Sequence, residues 1–307
     1  MVHIFIINSH AGIQKFSDGL RNYLATYHSN IEYHIFHTRY IWHERKLISE
    51  IIDLFGDEKL RIYCCGGLGT ISNVMYSVED FSNIEFAYCP RGFANDFLSV
   101  FSKEDAELFK DIDNLINGEV KKIDYIKTNH GNCLNNFSVG LDSAQVSKMN
   151  QYRDATMSGI TIPYLLAFIY SILFAKPEEL EITIDGEKKI EGRTSEMFFG
   201  NGGVIGGKIC FDSQPCITDG VGRMVVYKFV NRINTIKTLF ELAKENMDHK
   251  QRIMYEGYNQ SITVRRKDGT PFSMNFDGEL QEPQIEWTAT IVHNEFPFVL
   301  PKGVDCK

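Results

Sequence analysis

Two glycine-containing loops are the first residues of this chain that could do chemistry. Gly66 to Thr70 (Gly-Gly-Leu-Gly-Thr) directly follow the apolar run Arg61 to Cys65, and a helical pattern comes next. Glycines let the backbone bend tightly, so that its N–H groups come close to phosphate oxygens at the N-terminus of the following helix. A plain strand-to-helix turn would have the same residues, so the pentad indicates a phosphate site only in outline.

A second loop, Pro90 to Phe97, follows the apolar run Glu85 to Tyr88 and repeats this arrangement. Ligands of open α/β sheets bind at the carboxyl ends of the strands. Two such loops on neighbouring strands therefore favour a ligand site more strongly than either loop alone. Within the second loop, Asn95 could also be a helix cap and Asp96 a first-turn acid.

The acidic pair Asp277 and Glu279 is the third candidate for chemistry. The two residues are separated by Gly278 at the end of a predicted strand, which predicts that their side chains share one face. A carboxylate there could bind a metal or orient a nucleophile. Asp-Gly is also a common hairpin turn, and the residues alone favour that hairpin with a solvated glutamate.

Residues 1–124 predict an α/β lobe with a parallel sheet, because β-branched and aromatic runs alternate with amphipathic stretches. Such a sheet would bring the two glycine-containing loops to one edge. The predicted strands are Val2–Ile7, Ile31–His37, Arg61–Cys65 and Glu85–Tyr88, and the predicted helices are Ile13–Tyr27, Trp42–Leu54, Ile71–Val78 and Glu104–Ile116.

Residues 125–289 predict a β-rich, sandwich-like or barrel-like second lobe, because short strands are separated by Asp-Gly and glycine-rich turns. The length of 307 residues suits two domains. We expect residues 290–307 to rejoin the first lobe as a final strand. The predicted strands are Glu181–Ile184, Ser195–Gly200, Arg223–Val230, Ser261–Val264 and Phe272–Phe276, and the predicted helices are Tyr164–Phe174 and Ile233–Met247.

Composition and charge narrow the class of protein. The formal net charge of −8 argues against a protein that holds nucleic acid by neutralising its phosphates. Seven cysteines without C-x-x-C spacing predict reduced thiols in a cytoplasmic protein. The longest apolar run, Ile160–Ala175, contains Pro163 and falls short of the roughly 20 residues that span a bilayer. Its apolar residues surround most of a helix, which favours a buried core helix over a membrane-facing or lipid-binding one.

The order of the motifs resembles that of the diacylglycerol kinase catalytic-domain family. The family pattern is an N-P-x-x-G-like loop, then G-G-D-G-T, P-x-G-T-x-N-D-F, D-G and finally D-G-E. The matching segments follow in this order over nearly the whole chain: Asn8–Gly12, Gly66–Thr70, Pro90–Phe97, Asp219-Gly220 and Asp277–Glu279, with smaller matches at Thr38, Asn136–Gly140 and Gly200–Gly203.

The resemblance implies a two-lobed lipid kinase that uses ATP and Mg²⁺. Its acceptor would be a hydroxyl group of diacylglycerol or a related lipid alcohol, bound between the lobes and reached by peripheral membrane contact. It implies that Asp277 is the general base with Glu279 beside it, and that Asp219 and the carbonyls of Cys216 and Val221 hold a structural Mg²⁺. Oligomeric state, including a homodimer, stays open. The residues implied at the nucleotide are Asn8, Gly12, Thr38, Gly66, Gly67, Leu68, Gly69, Thr70, Ile71, Ser72, Phe93, Asn95 and Asp96.

Three polar positions of the family pattern are altered, and Arg91 stands before Gly92 where the family commonly has an apolar residue. Leu68 stands where the family has an aspartate, and leucine neither coordinates Mg²⁺ nor accepts a hydrogen bond. Phe93 replaces a threonine and Asn73 a glutamate. Loss of a metal-binding carboxylate costs on the order of several kcal/mol in the transition state, so a pseudokinase-like protein that binds nucleotide or lipid without turnover is the alternative. A relative of the NAD kinases ranks last, because Pro90–Phe97 fits the lipid-kinase motif better.

Overall fold

Two units make up the fold. The computed structural model describes residues 1–9, 14–92, 95–155, 161–207, 209–244 and 252–306. Met1–Ile123 and Asn294–Lys307 form the first unit, and Asp124–His293 form the second. The end of the chain therefore belongs to the same unit as its beginning.

The first unit contains a parallel sheet of four strands in the order β2-β1-β3-β4. Every position of β1, β3 and β4 is buried, which explains why these strands are mainly apolar. The chain adds β2 on one side of β1 and then β3 on the other, so the carboxyl ends of β1 and β3 flank the topological switch point of the sheet. The strands are β1 (Val2–Ile7), β2 (Glu32–His37), β3 (Leu60–Gly66) and β4 (Ile84–Pro90).

Helices connect these strands and follow the last of them. The predicted single helix over Glu104–Ile116 is wrong, because the segment forms two short helices. Ser102 and Asp111 each accept a backbone N–H through the side chain and so start a separate helix. The helices are α1 (Gln14–Tyr27), α2 (His43–Phe55), α3 (Leu68–Tyr76), α4 (Lys103–Leu108) and α5 (Ile112–Ile116), with a 3₁₀ helix at Asp96–Val100.

The second unit is built mainly from antiparallel strands, which confirms the predicted combination of a parallel α/β lobe and a β-rich lobe. The long strand β9 is central, since it pairs with β7, β8 and β12. The strands that lie wholly or partly in the second unit are β5 (Glu119–Thr128), β6 (Gly131–Cys133), β7 (Asn136–Gly140), β8 (Glu178–Ile184), β9 (Lys188–Gly200), β10 (Val204–Ile205), β11 (Ile209–Cys210), β12 (Gly222–Lys228), β13 (Ile253–Asn259), β14 (Ser261–Arg266), β15 (Asn275–Phe276), β16 (Glu279–Leu280) and β17 (Glu286–Leu300).

Strands β5 and β17 carry the chain between the units. β5 begins in the first unit, and the last residues of β17 belong to it, where Phe298 pairs with Phe86 of β4. The predicted strand Phe272–Phe276 is shorter than expected, because Phe272 forms only an isolated bridge with Gln284.

Three helices complete the second unit: α6 (Leu141–Ala155), α7 (Thr161–Phe174) and α8 (Arg232–Leu242). Helix α6 was not predicted from the sequence. The expectation that the apolar run of α7 is a buried core helix is wrong: Ala167 and Ser171 are buried, but Leu173 is 51% exposed. Among the described residues, no helix is long and apolar enough to cross a bilayer.

A buried polar network ties the first unit together. Arg61 donates to Glu85 from Nε (2.7 Å) and from Nη1 to the carbonyls of Leu115 (3.0 Å) and Ile116 (2.9 Å) at the end of α5. Burial alone would raise the pKa of Glu85, but hydrogen bonds from Lys59 and Arg61 outweigh it and lower that pKa. The sheet and α5 therefore share one charged, fully paired contact.

His3 gives the stability of this unit a predicted pH dependence. Its Nδ1 lies 2.7 Å from the Tyr63 hydroxyl. Burial, followed by the charge of Arg61, lowers the pKa of His3 from 6.5 to about 4. The unfolded chain binds the proton near pH 6.5, so the stability that neutral His3 contributes is complete above that pH and is lost as the pH falls toward 4.

We therefore expect His3→Gln to remove about 2 kcal/mol of the decrease in unfolding free energy between pH 7 and pH 4.5. Glutamine keeps a partner for the Tyr63 hydroxyl but does not titrate. Urea denaturation of the parent and the variant at both pH values measures the difference. Equal decreases in the two proteins would contradict the prediction.

Candidate functional site

Loops at the carboxyl ends of β1, β2 and β3 meet at one edge of the parallel sheet. Asn8, which follows β1, donates from its side-chain amide to Thr70 Oγ1 (3.1 Å) and to Glu44 Oε1 (3.3 Å). Thr38 follows β2, and its buried hydroxyl accepts the backbone N–H of Ser9 (3.3 Å). The structure thus brings together the predicted nucleotide residues Asn8, Thr38 and Thr70.

The loop after β4 packs against the loop after β3, backbone to backbone. The N–H groups of Arg91 (2.7 Å) and Gly92 (3.1 Å) both donate to the Gly66 carbonyl. A Cβ on Gly92 would lie 2.3 Å from Gly67 Cα, and a Cβ on Gly66 would lie 2.2 Å from Thr70 Oγ1. These close approaches require glycine, and they join the two predicted loops into one structure.

At the start of α3 the glycine backbone is partly exposed to solvent, whereas the side chains are buried. Leu68 is the first residue of the helix, and its side chain is buried. Thr70, Ile71 and Ser72 are also buried, whereas Gly67 and Gly69 are partly exposed. Backbone N–H groups at the N-terminus of a helix attract anions. The exposed part of the Gly66–Ser72 segment therefore suits phosphate better than it suits a metal ion.

The loop that contains Asn95 is fixed by hydrogen bonds. Asn95 Oδ1 accepts the Tyr88 hydroxyl (2.6 Å), and its Nδ2 donates to the Gly92 carbonyl (3.5 Å). The side chain of Asn95 does not cap the 3₁₀ helix that starts at Asp96. Two further residues predicted at the nucleotide, Gly12 and Phe93, lie outside the described residues.

Asn73, one of the departures from the family pattern, is buried between α2 and α3. Its Oδ1 accepts a hydrogen bond from Arg45 Nε (2.8 Å), and the Arg45 guanidinium lies 3.6 Å from the centre of the Tyr76 ring. An amide here satisfies the arginine without a negative charge. The hydrogen bond between Arg45 and Asn73 thus links α2 and α3.

Asp277 and Gly278 form a two-residue hairpin turn in the second unit. Phe276 pairs with Glu279 across the turn. Asp277 has φ 52° and Gly278 has φ 87°, which is the left-handed geometry of a type I′ turn. The expectation that Asp277 and Glu279 share one face of a strand is therefore wrong, because Asp277 lies in the turn and only Glu279 lies in a strand.

Three consecutive backbone amides hold the carboxylate of Asp277. Leu134 N–H donates to Oδ2 (2.7 Å), and the N–H groups of Asn135 (2.9 Å) and Asn136 (2.7 Å) donate to Oδ1. Asp277 is only 4% exposed. The residue is thus an oriented, buried carboxylate in a backbone nest, which an ordinary solvated turn would not provide.

A second acidic cluster lies beside this hairpin. Asn275 Nδ2 donates to Asp142 Oδ2 (2.5 Å), and so does the Ser138 hydroxyl (2.6 Å). The Asp142 N–H donates to Glu196 Oε2 (2.8 Å). Burial raises the pKa of Asp142, and burial together with the charge of Asp142 raises the pKa of Glu196. Sequence reasoning missed Glu196 and Asn275, although a single glutamate inside the apolar strand Ser195–Gly200 was a signal.

The predicted structural magnesium residues lie on the loop before β12. Asp219 Oδ1 accepts the Val221 N–H (3.2 Å), and the next amide, that of Gly220, donates to buried Asp124 Oδ2 (2.7 Å). Burial, then the charges of Asp124 and Asp212, raise the pKa of Asp219. Asp219 thus lies near other carboxylates, of which Asp124 also contacts His293 Nδ1 (3.0 Å), and a cation beside Asp219 would reduce this repulsion.

The donor types on this loop fit a hard cation. A carboxylate from Asp219 and carbonyl oxygens from Cys216 and Val221 are the oxygen ligands that Mg²⁺ prefers. Within the described ranges, no three His, Cys, Asp or Glu residues come together as a metal-binding group. A cation on this loop would therefore depend on main-chain carbonyls.

Comparisons with known proteins agree with the motif order. The model for the diacylglycerol kinase catalytic domain matches residues 3–128. A curated relative, the diacylglycerol kinase of Bacillus subtilis (strain 168), is 26% identical over 222 residues, which are 71% of this chain and 70% of that protein. The resemblance to the diacylglycerol kinase catalytic-domain family is confirmed.

Solved structures confirm the fold. A crystal structure of a candidate diacylglycerol kinase from Bacillus anthracis str. Sterne is 21% identical, with a TM-score of 0.74, and the match covers 99% of this chain and 96% of that one. A crystal structure described as that of a diacylglycerol kinase from the same strain is 18% identical, with a TM-score of 0.66 and coverage of 99% and 98%.

Because three backbone amides hold Asp277, we expect the loss of its negative charge to lower the stability of the fold. We expect Asp277→Asn to lower the unfolding free energy by about 2 kcal/mol, because an amide has one acceptor oxygen and would turn its NH₂ group toward a backbone N–H. Urea denaturation measures the change. Asp268→Asn is the matched control, since Asp268 starts another Asp-Gly turn but is fully exposed, and its replacement should have a much smaller effect. Equal stability of parent and Asp277→Asn would show that the nest contributes nothing.

Proposed function

We propose that this chain, a member of the diacylglycerol kinase catalytic-domain family, transfers the γ-phosphoryl group of ATP to a hydroxyl group of diacylglycerol or a related lipid alcohol. The observation that carries the proposal is the meeting of the glycine-containing loops after β3 and β4 at the carboxyl edge of the parallel sheet, beside the switch point between β1 and β3. There Gly92 packs on Gly67, and both Arg91 and Gly92 donate to Gly66. Nucleotides bind at this position in open α/β sheets.

The backbone of the first unit would bind the phosphates of ATP. Gly67 and Gly69 are the partly exposed residues at the start of α3, so their N–H groups can approach phosphate oxygens without a side chain between them. Asn8 and Thr38 hold the neighbouring loops through Thr70 and Ser9. In this proposal Asn8, Thr38 and Asn95 position the loops, and the amides of the glycines bind the anion.

In the second unit, Asp277 would take the proton of the lipid hydroxyl while the hydroxyl oxygen bonds to the γ-phosphorus of ATP and the bond from that phosphorus to the oxygen of the leaving ADP breaks. Phosphoryl transfer depends on an oriented acceptor oxygen. The three amides that hold Asp277 fix the direction of its carboxylate, and Glu279 is the first residue after the turn. Bound Mg²⁺ supplies positive charge to the phosphates. A separate, structural Mg²⁺ would be held by Asp219 and the carbonyls of Cys216 and Val221.

Leu68 keeps a second candidate function open, that of a protein that binds nucleotide without turnover. Its buried side chain offers no metal ligand at the start of α3, where the family pattern has an aspartate. The backbone features that would bind phosphate do not depend on this side chain. Nucleotide binding and phosphoryl transfer can therefore be measured separately, and variants of Asp277 and Leu68 test both.

We expect the parent protein with ATP and Mg²⁺ to phosphorylate a lipid alcohol from a panel that includes diacylglycerol, with NAD as the non-lipid acceptor. Asp277→Asn should lower kcat by about 100-fold or more, since positioned general bases contribute factors of that size. Binding of a fluorescent ATP analogue should be unchanged, because the nucleotide loops belong to the first unit. Circular dichroism confirms that the variant is folded under the assay conditions.

The matched pair Leu68→Asp and Leu68→Asn tests the departure from the family pattern. Both replace an apolar side chain of similar size at the first position of α3, but only aspartate adds a charge. If the folded parent binds ATP and phosphorylates none of the acceptors, while Leu68→Asp gains activity that Leu68→Asn lacks, the chain is a nucleotide-binding protein and the kinase proposal fails. Phosphorylation of NAD alone would also overturn it.

A further inference from the structure

Glu196 is a buried carboxyl group that no step of the proposed reaction uses. It lies in β9, where every position from Thr194 to Gly200 is buried, and it is only 5% exposed. Its Oε2 accepts the N–H of Asp142 (2.8 Å), the second residue of α6. Its Oε1 is also buried and has no hydrogen-bond partner within the part of the chain that the structure describes. A buried polar atom left without a partner calls for an explanation.

No positive charge balances this carboxyl group. Among the residues that the structure describes, neither Glu196 nor Asp142 forms an ion pair. Across the sheet, Glu196 pairs with Gly140 of β7 on one side and with Tyr227 of β12 on the other. The cations described on the surrounding elements have other environments: Arg193 of β9 pairs with Glu179, Arg223 of β12 pairs with Glu256, Lys148 of α6 lies over the Tyr170 ring, and Lys228 of β12 is exposed.

Asp142 is the better place for the one negative charge of this pair. Its Oδ2 accepts the Ser138 hydroxyl (2.6 Å) and Asn275 Nδ2 (2.5 Å), and the residue is only partly buried. Glu196 lies deeper, and a charged oxygen without a donor costs more than a neutral hydroxyl group. Burial, followed by the charge of Asp142, raises the pKa of Glu196 well above its ordinary value. Two neighbouring carboxyl groups without a cation do not both ionise readily, so the proton belongs on Glu196.

Asp142 in turn joins the two strands that build the Asp277 hairpin. Strand β7 begins at the last amide of the nest, and β15 ends directly before Asp277. The two strands pair at two positions, one of which is Ser138 with Asn275. Because Ser138 and Asn275 both donate to Asp142 Oδ2, this carboxylate links the two strands through their side chains. The distance between the nest and the hairpin therefore depends on Asp142 as well as on the main chain.

We propose that Glu196 carries a proton at neutral pH, and that this lets an ionised Asp142 hold β7 and β15 together and so position Asp277. Glu196 and Asp142 are positioning residues, since they act through the hairpin. The proposal rests on the proposed function for the reaction of Asp277, whereas the proton and the hairpin contact do not depend on it. Loss of the proton would place two negative charges at the start of α6, and their repulsion would weaken the contact between Asp142 and β15.

Infrared spectroscopy in heavy water tests the proton on Glu196. At neutral pH we expect the parent to show a C=O stretching band of a protonated carboxyl group that is lost in Glu196→Gln. Labelling the side-chain carboxyl groups of glutamate with carbon-13 should shift this band, whereas labelling those of aspartate should not. The control Glu187→Gln removes an exposed glutamate from the turn before β9 and should keep the band. A band that shifts with labelled aspartate, or a parent without the band, would overturn the inference.

Hydrogen exchange of the nest amides tests the positioning role. Asp142→Asn keeps an acceptor oxygen for Ser138 and Asn275 but removes the charge. We expect it to speed exchange of the N–H groups of Leu134–Asn136 by about tenfold, because hydrogen bonds to a charged group are stronger than those to a neutral one. The control Asp268→Asn removes the charge of an exposed turn and should leave these rates as in the parent. Unchanged exchange in Asp142→Asn would show that Asp142 does not hold the hairpin.

The pH dependence of the same amides keeps the test open if Asp142→Asn fails to fold. After correction for the intrinsic effect of pH on exchange, protection of these amides in the parent should fall between neutral and alkaline pH. It should fall less in Glu196→Gln, which does not titrate. Equal losses of protection in the two proteins would contradict the proposal.

Turnover separates this inference from the proposed function. In an active parent, Asp142→Asn should lower kcat by about tenfold or more, because a displaced catalytic group loses rate steeply. The KM for ATP should stay the same, since the nucleotide loops belong to the first unit. A parent without turnover on any acceptor would overturn the kinase alone, because the infrared band and the exchange rates are measured without ATP. An active parent whose folded Asp142→Asn variant keeps its full kcat would overturn the positioning role alone.

Discussion

The close approach of two backbones at Gly66 and Gly92 is the contact on which the candidate nucleotide site depends. The Gly66 carbonyl accepts two N–H groups from the neighbouring loop, and Gly92 lies where any Cβ would meet the backbone of Gly67. A side chain at Gly92 would push the two loops apart, and a side chain at Gly66 would collide with Thr70. The parallel sheet allows this contact because β3 and β4 end side by side, with Gly66 opposite Pro90. The start of α3 is thus held on one side by the loop after β4 and on the other by Asn8, which donates to Thr70.

Backbone groups also define the candidate site of the second unit. There the acceptor is a side-chain carboxylate of the protein, and main-chain N–H groups are again the donors. Asp277 accepts three consecutive amides, which hold it more firmly than a long cationic side chain would. The left-handed backbone conformation of Asp277 is somewhat strained. The glycine that follows and the three amide hydrogen bonds offset this strain. The hairpin and the nest therefore stabilise each other.

A site made largely of backbone explains how the departures from the family pattern can coexist with an unchanged fold. Leu68 replaces a charged side chain, yet the N–H groups at the start of α3 do not depend on that side chain. Asn73 replaces another, and its amide accepts a hydrogen bond from Arg45. The loops themselves are held by Asn8, Gly66 and Gly92, whose contacts involve neither of the two substituted side chains.

The sequence by itself determined the features that depend on neighbouring residues. The buried strands β1, β3 and β4 are mainly apolar segments, glycine is required where the loops bend, and Asp277-Gly278 forms the hairpin that this dipeptide favours. The tertiary structure decided what depends on residues far apart. Asp277 meets amides about 140 positions earlier, Glu196 joins Asp142, and α7 exposes an apolar side that its composition assigned to the core. Periodicity and turn chemistry are local, so they specify elements, whereas the partner of a buried carboxylate or of a helix face is set only by packing.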